Sequence, residues 1–379
     1  MTMKANSIGI YIHYPFCLKK CNYCDFVSYT CLDENTKRAY VQKLISEIEA
    51  YRGKNIEADT VFFGGGTPSL LEVEDIDRIM DSLHSSFTIH SDAEITIEMN
   101  PKTANKAKLL EFRKSGINRL SIGLQSIHEN ELKLLGRIHN FEDFVYSYEI
   151  SRQVGFSNVN VDLMYGIPDQ TEISFAQSLN KVLSFSPEHL SLYSLIIEPG
   201  TPIFNAKDSL RFPNEDQEIS MYSYAADSLR RAGYNHYEIS NYAKPTFECR
   251  HNLKYWRGEH FLGFGVAAYS YFDKKRFGNT RNIHEYISAE TAISDEEIIS
   301  ENDEAFEYVM LGLRCSDGFS LNRLKEKYGL IPKIFQTRQF SELESDGYIL
   351  FDGDRISLTE KGFYVSNTII ELFTEFEKT

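Results

Sequence analysis

Short apolar runs punctuate the first two hundred residues, at 8–13, 60–63, 94–98, 118–122, 159–163 and 189–195, and each is brief enough and β-branched enough to predict a strand. Between them the apolar positions fall three and four apart. Val41, Leu44, Ile48 and Tyr51 share one helical face, as do Val73, Ile76, Met80 and Leu83, and Gly116 stands where a further helix would close. Strands alternating with helices predict a parallel sheet of βα units, and six such units fit an open partial (β/α)6 barrel rather than a closed eight-stranded one. The rhythm changes after residue 200 to mixed strands and loops, including 237–242 and 261–272. A separate pattern starts near 300: a helix carrying Phe306, Val309, Met310 and Leu313, a shorter one after Ser320, a hairpin turning at Asp352-Gly353, and a last helix capped near Thr359. These signals predict a smaller C-terminal winged-helix-like α+β domain. The expected division is a core at 1–235, a mixed β and loop extension at 236–298 and the C-terminal domain at 299–379.

In a barrel of βα units, chemistry collects at the C-terminal ends of the strands, where the loops share one mouth. Five of the predicted strands end that way: on a cysteine loop, on Gly64-Gly65-Gly66-Thr67-Pro68, on Glu98, on Gln125 and near Asp162. Cys17, Cys21 and Cys24 stand at Cys-x3-Cys-x2-Cys directly after the first strand. Three thiolates can hold a [4Fe–4S] cluster and leave one iron open to chelate a small molecule; three close cysteines can equally join a distant histidine round zinc. The glycine loop offers backbone groups without Cβ interference and lacks the lysine of a phosphate-binding loop, so it is either a turn or a cradle for a charged, non-phosphate group. Glu98 can accept from ribose hydroxyls or simply face solvent. Gln125, Arg137 and Asp162 together can bind a polar ligand, Arg for a carboxylate and Asp for an ammonium or hydroxyl.

Composition narrows the class. A chain of 379 residues exceeds one ordinary core, and 42% hydrophobic content suffices to bury a large one. No apolar stretch approaches the ~20 residues of a membrane span, the first residues lack the apolar run of a secretory signal, and six cysteines are too few for a disulfide scaffold, so a cytoplasmic protein without an integral membrane segment is expected. A net charge of −15 argues against nucleic acid, also for the winged-helix-like unit, where packing against protein is the expected role.

The segments YIHYPFCLKKCNYC at 11–24, the GGGTP loop, SIGLQS at 121–126 and VDLMYGIP at 161–168 together resemble the coproporphyrinogen-oxidase-like branch of radical S-adenosylmethionine (SAM) proteins, over nearly the whole chain. The resemblance implies cluster ligands Cys17, Cys21 and Cys24. It implies SAM contacts from Tyr11, Tyr23, Gly65, Gly66, Thr67, Glu98, Gln125, Arg137 and Asp162, some of them at a second SAM site. Two functions compete in that branch: oxidative decarboxylation of coproporphyrinogen III propionates, and haem binding with delivery to recipient apoproteins by HemW-type haem chaperones. The dehydrogenases carry a further cysteine where this chain has Phe26, and an N-terminal extension where this chain begins almost at its first strand. CRHNLKYW at 249–256 resembles the chaperone signature, so a haem chaperone is expected, with the dehydrogenase as the alternative and a homodimer as one state the resemblance allows.

His251 can ligate haem iron while Tyr255 and Trp256, the only tryptophan, cover a flat macrocycle; a His-Asn pair among aromatics also commonly just knits a loop to a core. Cys249 reads first as a buried inert thiol and second as a thiolate ligand. Tyr269 stands where the chaperones usually carry histidine. His13, His84, His139, His236 and His260 read as satisfied or surface residues, His13 lying near the cluster.

Overall fold

The computed structural model describes residues 7–30 and 33–378; the N-terminal stretch read as lacking a signal, and Cys31, lie outside them. Six parallel strands form the centre: β1 (Ile8–Tyr14), β2 (Glu57–Gly65), β3 (Thr88–Met99), β4 (Arg119–Gln125), β5 (Val159–Tyr165) and β6 (His189–Ser194), side by side in chain order. Their apolar residues are almost wholly buried because helices cover one face. Helix Glu34–Glu49 buries Val41, Leu44 and Ile48, and helix Val73–Ser86 buries Ile76, Met80 and Leu83, as the spacing predicts. Helix Lys106–Lys114 closes through Ser115 onto Gly116 at φ +97°.

Segment 236–298 does not stand apart from this sheet. β7 (Asn235–Glu238) and β8 (Asn241–Ala243) extend it antiparallel beyond β6, whereas β9 (Phe261–Phe264) lies parallel to β1 and is continued by β10 (Tyr269–Phe272), β11 (Lys275–Asn279) and β12 (Ile293–Ile298). The result is one open twelve-stranded sheet. Half-buried Glu47 fastens the β9 edge to the first helix, accepting from Tyr286 Oη and Asn279 Nδ2, both at 2.6 Å, and from the Gly265 N–H at 3.0 Å.

The C-terminal unit has its own apolar core round Phe319, Leu324, Ile356, Ile369 and Phe373. Helix Leu321–Tyr328, helix Arg338–Ser345 and the hairpin Ile349–Phe351 with Arg355–Leu358 give it the winged-helix-like form, and Thr359 caps the next helix through the Gly362 N–H. It meets the barrel through backbone bonds of Ile239 N to Arg314 O and Ser316 N to Tyr237 O, each 3.0 Å, and through Arg276, which donates to both oxygens of Glu307 at 2.8 Å. Among the described residues no helix is long and apolar enough to cross a membrane.

Candidate functional site

Directly after β1 the chain turns into the cysteine loop, where Cys17, Cys21 and Cys24 are half-buried. Its course is fixed by backbone partners rather than by the thiols. Cys17 N donates to Tyr29 O at 2.9 Å, Asn22 N and Nδ2 donate to Leu135 O and Leu134 O at 2.9 and 2.8 Å, and Ile203 N donates to Asn22 O at 3.0 Å. Beneath the loop His13 bridges Tyr11 Oη and Val27 O, 3.0 Å from each, and burial lowers its pKa so that it stays neutral. Tyr23 packs close by, against an apolar cluster of Leu135, Met164 and Ile203.

A hydrogen-bonded chain joins two of the three thiols. Arg137 Nη1 donates to Cys21 Sγ at 3.3 Å, while its Nη2 donates to Gly123 O at 2.5 Å and to Asn100 Oδ1. Asn100 Nδ2 donates to Thr67 Oγ1 at 3.0 Å, and that hydroxyl donates to Cys17 Sγ at 3.5 Å. Burial raises the Cys17 and Cys24 thiol pKa values, so thiolates here need compensating positive charge. A guanidinium and a hydroxyl aimed at sulfur are the donor set a thiolate-bound cluster uses. Among the described residues no three His, Cys, Asp or Glu side chains close on one point as round a single ion.

The glycine loop has a packing role. A Cβ on Gly65, at φ +106°, would lie 2.6 Å from His13 Cε1, and one on Gly66 would lie 2.7 Å from the Pro15 carbonyl carbon. That close approach lets Gly66 N reach Tyr14 O at 2.8 Å and Thr67 N reach Phe16 O at 2.9 Å, clasping the glycine loop to the start of the cysteine loop.

Inside the strands lies a cavity of about 730 Å³ including its open mouth. Tyr11, Phe62, Gly65, Glu98, Asp162 and Tyr193 line it toward the strands' C-terminal ends, with Phe26 of the cysteine loop at the mouth. Burial, and then the charge of Asp162, push the Glu98 carboxyl up to about 8. Asp162 is likewise raised by burial, although Asn160 Nδ2 donates to it at 2.7 Å. Gln125 ends β4 at φ +73°, just after a shift in the β4–β5 register, and among the described residues its Oε1 has no partner. Such strain and an orphaned buried oxygen are features that functional rims collect.

At the other end of the cavity stand Arg119, Asn160, His189, His251 and Tyr255. His251 is 1% exposed, with Nδ1 2.9 Å from Thr60 Oγ1 and Nε2 2.7 Å from Tyr255 Oη, and burial lowers its pKa to about 3. Both ring nitrogens are thus engaged, and iron could reach Nε2 only if the Tyr255 hydroxyl turned away. Trp256 is not among the residues lining the cavity; the Arg314 guanidinium lies 6.0 Å from its ring centroid. Cys249 is fully buried, its thiol pushed up to about 12 by burial and 3.6 Å from Glu94 Oε1, as an inert thiol would be. Tyr269 is exposed and lies across Gly278 of β11, outside the cavity lining.

Sequence reading overlooked Asn100, Asn22, Arg119, Asn160 and His189. Position alone could have pointed to two of them: Asn100 stands two residues after Glu98 on the rim, and Arg119 two residues before the SIGLQS motif.

Comparison with known proteins places the chain in a family and a fold. The Radical SAM superfamily model matches residues 11–182, and the HemN C-terminal domain model matches 299–365. "Heme chaperone HemW" of Bacillus subtilis (strain 168) is 35% identical over 377 residues, covering 96% of this chain and 98% of its own length. The protein of that name from Escherichia coli (strain K12) is 33% identical over 379 residues, covering 98% and 99%. The solved coproporphyrinogen III oxidase (HemN) of Escherichia coli superposes with a TM-score of 0.83 at 24% identity over 97% of this chain and 90% of that one, a likeness of fold. With full-length relatives at this identity and the matching core fold, the chain belongs to the HemW family of the radical SAM superfamily.

Proposed function

We propose that this chain binds haem and delivers it to recipient apoproteins in the cytoplasm, on a scaffold that holds a [4Fe–4S] cluster and SAM. Its full-length relatives are named heme chaperones, and the observation that carries the reading is Phe26: 69% exposed at the cavity mouth, with Tyr193 41% exposed on the opposite strand. Two exposed aromatics framing a deep opening suit the flat apolar face of a macrocycle.

In this reading Cys17, Cys21 and Cys24 hold the cluster, with Arg137 and Thr67 steadying two of the sulfurs. The cluster, when bound, supplies an open iron for the SAM amino-acid end and an electron for its reduction. Gly65, Gly66 and Thr67 face that end of SAM, Glu98 its ribose, and Tyr11 and Tyr23 its surroundings, while Gln125, Arg137 and Asp162 serve the same or a second SAM. His251 would ligate the haem iron through Nε2 once the Tyr255 hydroxyl turned aside, and Tyr255 would then lie against the macrocycle. Trp256 steadies the segment from the side of Arg314.

The test is anaerobic cluster reconstitution followed by haem titration at the Soret band, for wild type, Phe26→Ala and His251→Ala, with coproporphyrinogen III conversion assayed in the same preparations. Stoichiometric binding by wild type, weakened in both variants and without conversion, is expected. Conversion without stable haem binding overturns the proposal. Binding unchanged in His251→Ala removes that residue from the ligand set.

A further inference from the structure

Arg119 opens β4 and is 2% exposed, yet among the described residues its Nε has no hydrogen-bond partner. It lines the deep end of the cavity. The carboxylates that act on it through space are Glu94, Asp162 and Glu98; none of them hydrogen-bonds it among the described residues, and the first two are engaged elsewhere. Glu94 accepts from the Arg250 and His251 N–H groups, each at 3.1 Å, and so caps helix Arg250–Trp256; Asp162 accepts from Asn160. The neighbouring imidazoles add no negative charge. His189 is locked between Asn160 Oδ1 at 2.6 Å and Tyr237 Oη at 2.7 Å, and His251 between Thr60 and Tyr255.

A buried guanidinium facing a cavity without a paired anion is costly, and such a fork matches the two oxygens of a carboxylate. A second donor is at hand. Ser121 lines the same cavity, and its Oγ accepts from Asn160 Nδ2 at 2.8 Å, which leaves its own O–H to donate. We propose that Arg119, with Ser121, is the anchor for a ligand carboxylate at the deep end of the cavity. From Tyr193 at the rim to His189 at the bottom is four residues of β6, roughly 13 Å. The carboxylate therefore belongs either to a macrocycle side chain whose ligand spans the cavity, which rests on the haem reading above, or to a small free carboxylate that sits wholly inside.

Two arms separate these sources. Haem and haem dimethyl ester are titrated at the Soret band against wild type, Arg119→Met and Arg119→Lys, and succinate is titrated by thermal shift against the same three. For the macrocycle source the ester binds wild type at least tenfold more weakly than haem, the gap vanishes in Arg119→Met, and Arg119→Lys keeps part of it. For the free source, acid and ester bind alike while succinate raises the melting temperature of wild type and not of Arg119→Met. Discrimination in neither arm, or discrimination that survives in Arg119→Met, overturns the proposal. Wild type that binds no haem at all sinks the haem reading and leaves the succinate arm to decide the carboxylate site. Should Arg119→Met fail to fold, Arg119→Lys and the ester comparison on wild type still decide.

Discussion

Arg137 touches a thiol, an amide and a carbonyl at once, so removing it strips one sulfur of its donor and takes a donor from Asn100 Oδ1 and from Gly123 O. Arg137→Met is expected to fold but to hold iron about 10- to 100-fold more weakly, as partners behind metal ligands do when lost, with Arg137→Lys intermediate; iron and sulfide analysis after reconstitution checks this. Glu98 gives a pH signature. Its carboxyl, ordinarily at 4.5, keeps its proton to about 8 in the fold, so its contribution is complete below 4.5 and is lost as pH rises through 8. The urea midpoint of the cluster-free protein is therefore expected to fall across that window, and the fall to be shallower in Glu98→Gln. At this scale the sequence shows residue types but not their partners. The cysteines draw notice in the sequence because their spacing suggests a shared ligand, iron–sulfur or zinc. His251 was ambiguous because only the fold reveals that Thr60, from a strand 191 positions away, occupies one nitrogen, and Arg119 was overlooked because its place near the SIGLQS motif says nothing of a buried Nε without an acceptor.

Elements were more readable than residues. The six central strands lie where continuous apolar runs predict them, although β2 and β3 are longer than their apolar cores, extending to Glu57 and Thr88 through polar residues held by neighbouring backbone. The short outer strands β7 to β12 were blurred, because antiparallel edge pairing is decided by partners far along the chain rather than by local periodicity. The triple glycine was read as either a turn or a ligand cradle, and the distances favour neither alone: Gly66 is needed where two loops touch. Gly66→Ala would drive a methyl into Pro15 and Phe16, so that variant is expected to keep its circular dichroism yet fail to retain a cluster, measured by absorbance near 400 nm on the order of hours after reconstitution.

The whole molecule joins an open barrel to a smaller helical unit with a core of its own. Part of that joint is Arg276, which is about a third exposed and grips both oxygens of Glu307. Arg276→Gln should lower stability by about 1 kcal/mol, solvent screening keeping the loss small, and hydrogen exchange should rise in the C-terminal helices before it rises in β1 to β6. The C-terminal unit was legible as a winged-helix-like pattern because its caps and hairpin are local signals; its seating on β7 was not, since backbone bonds from Ile239 and Ser316 obey no residue-type rule. The clasp between the glycine loop and the cysteine loop has a consequence for how the chain ages. Lys19 and Lys20 stand exposed between the first two cysteines. Trypsin is therefore expected to nick a chain without its cluster there first, while a loaded chain resists, and a nick would loosen the glycine loop along with its neighbour. Limited digestion followed by mass measurement would thus report cluster occupancy as a cleavage rate at one dipeptide, and would mark which molecules in a preparation had already been lost to oxidation.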